Sequence, residues 1–217
     1  MIIKSDWETR RDIVQCAKRA FNSGLVAATD GNISVRMSVD RVMITPGGTS
    51  FNNLNPGQMA YVDTDGHLLD YSQRPSSELP MHLEIYHLRP EIGAIIHAHP
   101  PFTTAFTVAG ISLSTPVLPE VFVMCGRIPT AAYATPSTIE SAEVIRDLIK
   151  DHDVILLDHH GAVTCGKDLD EAYFRMEKLE HAAKTMIAAN SLGKILPLSE
   201  ENLIKLEPFK KRSDYKK

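Results

Sequence analysis

With 217 residues, 43% of them hydrophobic and 23% charged, the chain has the size and mix of one soluble globular domain, which excludes disordered, collagen-like and coiled-coil classes. Its 23 Lys and Arg against 27 Asp and Glu leave a net charge of -4, too mild and too mixed to draw the whole surface onto nucleic acid or an acidic membrane, so any anion must meet a local site. No apolar run approaches the roughly 20 residues a bilayer needs, and MIIKSDWETRR holds no cleavable apolar region; the expectation is a cytoplasmic protein with no nucleic-acid or membrane partner. Cys16, Cys125 and Cys165 are odd in number and form no CxxC, so they read as small buried apolar residues.

In chain order, Ser5 and Glu8 form a capping box that opens a helix to about Ser23, and Gly24 closes it. Asn32 to Met37 and Arg41 to Thr45 alternate as a β-hairpin, and Pro46-Gly47-Gly48 breaks the second strand. A further strand is predicted at Met59 to Asp63, with Thr64-Asp65-Gly66 turning the chain back through His67 to Leu69. A helix begins near Ser77, with Ser76 or Ser77 as its cap and Pro80 in its first turn. Gly93 to His97 has strand length, and the segment after Pro100-Pro101 reads as a helix closed by Gly110. Pro119 to Cys125 and Asp153 to Leu157 read as strands, Ser137 to Lys150 and Leu169 to Asn190 as helices. Strands and helices interleave without a dividing linker, which predicts a single α/β domain over residues 1–217 with helices covering a sheet.

His97-Ala98-His99 ends an apolar run, and residues two apart on a strand project from the same face, so both imidazoles can grip one ion while Ala98 turns to the core. Zinc suits such a site, with three protein ligands and one open position. A third imidazole is needed, and the segment LLDHHGAV offers His159-His160 at the end of another buried-looking strand. Three small-residue turns, at Gly31-Asn32, Gly47-Gly48 and Ser76-Ser77, expose backbone N–H groups or hydroxyls and read either as ordinary turns or as a phosphate nest. Glu78, after the serine pair, either complements a helix dipole or acts as a general acid/base beside the metal.

Together, GLVAATDGNISVR, ITPGG, RPSSELPMHLEIYHLRPEIGAIIHAHPP and LLDHHGAVTCGKDLDEA resemble the class II aldolase/adducin family, in family order from about residue 8 to residue 190 and most nearly in the manner of its bacterial L-fuculose-phosphate aldolase branch. The resemblance implies a single-domain, three-layer class II aldolase-like fold with a central, mostly antiparallel sheet flanked by helices, assembled as a homotetramer with active sites between subunits. It implies Zn2+, or another divalent metal, on His97, His99 and His160, with His159 a non-ligand neighbour. It also implies Glu78 as catalytic acid/base and Asn32, Gly47, Gly48, Ser76 and Ser77 as the cradle for the phosphate of a small phosphorylated sugar. The implied reaction cleaves a ketose 1-phosphate to dihydroxyacetone phosphate and an aldehyde through a metal-stabilised enediolate; related 4-epimerases, dehydratases and decarboxylases, and the non-catalytic adducin-type scaffold, are the alternatives. Two residues depart from the aldolase pattern: Gly47 replaces a threonine of the phosphate turn, and Glu120 stands where the aldolases carry a catalytic tyrosine from a neighbouring subunit. Glu120 reads as a second acid/base or a surface carboxylate. Tyr215, in a basic tail over 208–217 that the resemblance makes mobile, reads as a lid residue.

Overall fold

The computed structural model describes residues 5–210. In chain order its elements are α1 (Asp6–Asn22), β1 (Asn32–Ser38), β2 (Arg41–Ile44), β3 (Ala60–Asp63), α2 (Leu79–Leu88), β4 (Ala94–Ala98), α3 (Pro101–Val108), α4 (Pro119–Cys125), β5 (Thr130–Ala131), α5 (Glu140–Ile145), β6 (Val154–Leu157), β7 (Gly161–Gly166), α6 (Leu169–Leu192) and α7 (Glu200–Leu206). The strands form one sheet in the order β3-β2-β1-β4-β7-β6-β5, antiparallel throughout except for the parallel β5–β6 pair.

Alternation along the strands splits the interior into two apolar layers. Ile33, Met43, Ile96, Ala98, Leu156 and Ala162 face α1 and α6, whereas Val42, Ile44, Ile95, Ile155 and Val163 face α2 and α5. Helices on both faces of the sheet make the three layers expected. The central strands are buried on both sides, and β4 and β6 have no exposed residue.

The first helix is capped as its sequence dictates, Ser5 Oγ accepting from the Glu8 N–H while Glu8 reaches back to the Ser5 N–H. Gly24 adopts φ +69 just beyond α1, the left-handed turn that suits glycine. All three cysteines are free and buried. A buried charge cluster pins the sheet to α6: fully buried Arg175 lies 2.8 Å from Asp153 and donates to the carbonyls of Met124 and Cys165.

Two predicted elements are corrected. Pro119 to Cys125 is the short helix α4 and not a strand, since Pro119 at its first position and Glu120 in its first turn are helix-start chemistry, and Gly126 at φ 69 ends it. Ser137 to Lys150 is not one helix: Ser137 sits at φ 64, a conformation no α-helix contains, so α5 starts at Glu140 and a separate 3-10 turn follows at Leu148–Lys150. Strands β5 and β7 and helix α7 complete the fold without having been predicted. Of the predicted tail, Phe209 closes a 3-10 turn and Lys210 lies 4.2 Å from the Phe122 ring centroid, while Tyr215 lies outside the described residues.

Candidate metal and substrate site

Strand β4 delivers His97 near its end on the α2 side, and the chain then turns through His99 and Pro100 into α3. The turn between β6 and β7 delivers His160 to the same place. His159 there adopts φ 55, and Gly161, directly after His160, is obligatory: a Cβ on it would meet the Ala98 carbonyl oxygen at 2.4 Å and His99 Cδ2 at 3.0 Å. That close approach lets β7 lie against the end of β4, so the three imidazoles converge.

The Nε2 atoms of His97 and His99 are 3.0 Å apart, and one nitrogen from each of His97, His99 and His160 lies within 4.8 Å of the others. His97 Nδ1–H donates to the Ala162 carbonyl at 3.0 Å, which leaves Nε2 as the lone-pair nitrogen facing its neighbours. Burial holds His97 well below the usual histidine range, helped by His99 and His160. Burial also lowers His99 and His160, with Asp30 and Glu78 opposing it electrostatically. All three are therefore biased to the neutral form that ligates a metal. Asp30 Oδ2 lies 3.6 Å from His99 Nδ1, on the ring edge away from His97.

Glu78 occupies the N-cap position of α2, yet its side chain makes no cap bond. Instead Oε1 accepts from both the backbone N–H and the hydroxyl of Ser137, while Oε2 is buried and meets no donor. A buried carboxylate oxygen without a donor, on a residue that acts electrostatically on His99 and His160, suits a cation. The donor set thus fits a divalent ion with histidine and carboxylate ligands.

The three small-residue turns meet at this end of the sheet. Asn32 pairs with His97 across β1 and β4, which places both side chains on the α2 face. Pro46 bridges Pro75, Gly47 N–H donates to the Arg74 carbonyl, and Ser76 N–H to the Thr45 carbonyl, so the segments 45–48 and 74–77 run side by side. Gly48 holds φ +69 with open space around its missing Cβ. Ser76 Oγ accepts from the Glu78 N–H, and Ser77 Oγ lies 2.7 Å from Ser137 Oγ. Glu120 is exposed in the first turn of α4. His82 is fully buried and bonded to Asn32 and Ser34. Ser137 was missed, because serine in a loop signals nothing by type; its signal is positional, a left-handed residue beside a carboxylate.

A profile of the class II aldolase and adducin N-terminal domain matches residues 11–187. The chain belongs to the class II aldolase/adducin family. It is 33% identical over 196 residues to an L-fuculose phosphate aldolase of Haemophilus influenzae, covering 88% of each chain. It is 31% identical over 185 residues to a 3-oxo-tetronate 4-phosphate decarboxylase of Escherichia coli strain K12, covering 83% of this chain and 87% of that one. A solved L-fuculose 1-phosphate aldolase superposes with a TM-score of 0.88 at 27% identity, covering 97% of this chain and all of its own. As a member of this family the chain is a metal-dependent lyase, and its histidine triad can hold the metal.

Proposed function

We propose that the protein cleaves a ketose 1-phosphate of the L-fuculose 1-phosphate kind into dihydroxyacetone phosphate and an aldehyde, using Zn2+ or a comparable divalent ion held by His97, His99 and His160. The observation that carries this reading is the buried, partnerless Glu78 Oε2 at a site where three imidazoles converge and burial lowers the pKa of each. Bound there, the ion supplies Lewis acidity toward the substrate oxygens on which negative charge develops as the C3–C4 bond breaks.

The chain's own residues do the rest. Asn32, Gly48, Ser76 and Ser77 offer N–H and O–H donors to the phosphate, and Gly47 shapes the turn without a hydroxyl of its own. Ser137 fixes one oxygen of Glu78 and so leaves the other to carry the proton that C3 gains when the electron pair of the C3–C4 bond passes to the dihydroxyacetone half. The proton released from the C4 hydroxyl, as that carbon becomes the aldehyde, goes to a second base. Glu120, presented by a neighbouring subunit of a cytoplasmic homotetramer, is our candidate, with Tyr215 closing over the site.

The relative that is a decarboxylase favours a second reading, because loss of CO2 next to a carbonyl leaves a comparable electron pair and requires one proton donor, Glu78, with no second base. The test is hydrogen exchange. Metal-loaded protein should exchange the C3 hydrogen of dihydroxyacetone phosphate with deuterated water, and L-fuculose 1-phosphate should release dihydroxyacetone phosphate. Both readings share that exchange, so the substrates decide between them: CO2 release from 3-oxo-tetronate 4-phosphate without cleavage of L-fuculose 1-phosphate would replace the aldolase reading by the decarboxylase one.

A further inference from the structure

Behind Asn32 a chain of polar side chains crosses the apolar layer beneath α2. Tyr86 Oη lies 2.9 Å from Ser34 Oγ, Ser34 Oγ lies 2.7 Å from His82 Nδ1, and His82 Nε2 lies 2.5 Å from Asn32 Oδ1. Ser34 and His82 are fully buried, and Tyr86 and Asn32 are 2% and 3% exposed. Nothing in the proposed chemistry uses Ser34, His82 or Tyr86, yet buried polar groups are costly unless every hydrogen finds an acceptor.

The hydrogens of this chain can run in only two directions, because burial keeps His82 neutral and gives it one ring N–H. With the hydrogen on Nδ1, Ser34 accepts it and donates its own to Tyr86 Oη. The Tyr86 O–H, or the Ser34 O–H where Tyr86 donates to Ser34, is then left without an acceptor among the described residues, and Asn32 has to turn its N–H2 toward His82 and its carbonyl toward the site. With the hydrogen on Nε2, Tyr86 donates to Ser34, Ser34 donates to His82 Nδ1, and His82 donates to Asn32 Oδ1. Every hydrogen is placed, and the Asn32 Nδ2 hydrogens, which have no partner among the described residues, remain for the site.

We infer that Tyr86, Ser34 and His82 form a one-way hydrogen-bond relay that holds the Asn32 amide with its N–H2 toward the substrate's oxyanion, making His82 a positioning residue for phosphate recognition. A carbonyl in that place would repel the anion that the N–H2 attracts. The relay fixes by hydrogen-bond bookkeeping an orientation that shape alone leaves free, since the two ends of an amide are nearly isosteric. This rests on the phosphate role proposed for Asn32 and adds what sets its polarity.

Two independent measurements decide it on the full-length, metal-loaded protein. Long-range 1H–15N spectra of the His82 ring should show the Nε2–H tautomer; an Nδ1–H tautomer overturns the relay whatever the reaction proves to be. Inorganic phosphate, titrated while the backbone amides of Gly48 and Ser77 are followed, should bind His82→Leu about tenfold more weakly than the parent, the scale of one misdirected hydrogen bond to a charged group. His82→Gln should recover most of that loss, because its amide can still donate to Asn32 Oδ1. Parent-like binding by a folded His82→Leu overturns the inference. If His82→Leu does not fold, Asn32→Asp against Asn32→Ala makes the same decision: aspartate still accepts from His82 but turns an oxygen to the anion, so it must bind phosphate more weakly than alanine, and equal or tighter binding overturns the relay. A parent that shows no phosphate response while His82 is in the Nε2–H form overturns the phosphate reading itself, and with it the purpose assigned to the relay.

Discussion

Glu78 and Ser137 show how much a single side chain's chemistry depends on its neighbour. Two donors on one carboxylate oxygen leave its twin buried and without a donor, so Glu78→Gln should keep the metal, by elemental analysis of the purified protein, and lose about 10² to 10⁴-fold in turnover. Turnover within a few-fold of the parent would reduce Glu78 to a helix-terminal charge. His99→Ala should lose both bound metal and activity while far-UV circular dichroism stays unchanged, because His99 follows β4 and is not packed within it. Stoichiometric metal in that variant would show the ligand set to be wrong. These residues were visible in the sequence because histidine and glutamate announce their chemistry by type and spacing. Ser137, Ser34 and Tyr86 were not, because their contribution lies in which atom each one meets across 50 to 60 residues of chain, and no local pattern records that.

Among the elements, long periodic segments were legible and short ones were not. Helix α1 announced itself by its capping box and α6 by a 3.6-residue repeat, whereas the Val-Phe-Val of α4 suited a strand until Pro119 and the packing around Val121 and Phe122 decided otherwise. Strand β7 lies between β4 and β6 and is buried on both faces, so it lacks the alternation that reveals a half-exposed strand. Helix α3 is a further case, with Pro100 at its N-cap and no side-chain cap of its own. Glu180 of α6 replaces that cap, accepting from the Phe102 and Thr103 N–H groups at 3.2 and 2.9 Å and from the Thr103 hydroxyl at 2.9 Å. Glu180→Ala leaves the buried Thr103 donors unmet and should cost about 2–3 kcal/mol in urea unfolding. Because α3 starts just after His99, the same change should also weaken metal retention during dialysis against a chelator. A variant as stable as the parent would show that water caps α3 equally well.

For the molecule as a whole, the fold class and the order of motifs were readable from sequence, while the convergence of 31–32, 45–48, 74–78 and 97–99 on one end of the sheet emerged only from strand order. Burial of histidines makes stability depend on acidity. The pKa of His82 is pushed down to about 3 from an ordinary 6.5, so between those values the unfolded chain takes up a proton that the folded one refuses. Stability is therefore fully present above about pH 6.5 and is lost as the pH falls toward 3. Metal-free protein should show a lower urea midpoint at pH 5 than at pH 7.5, and a folded His82→Gln should show a smaller difference; equal differences would mean other groups dominate. Helix α2 has a mechanical consequence. One rigid rod bears Glu78 at its head and His82 and Tyr86 along its shaft, and it is clamped at its foot where Arg89 bonds Asp153 and the Ile149 carbonyl. The phosphate grip and proton delivery proposed for these residues thus move as one piece, and an alteration to the shaft should disturb both. Retuning this scaffold toward a different sugar must work through parts that are not bolted to the rod.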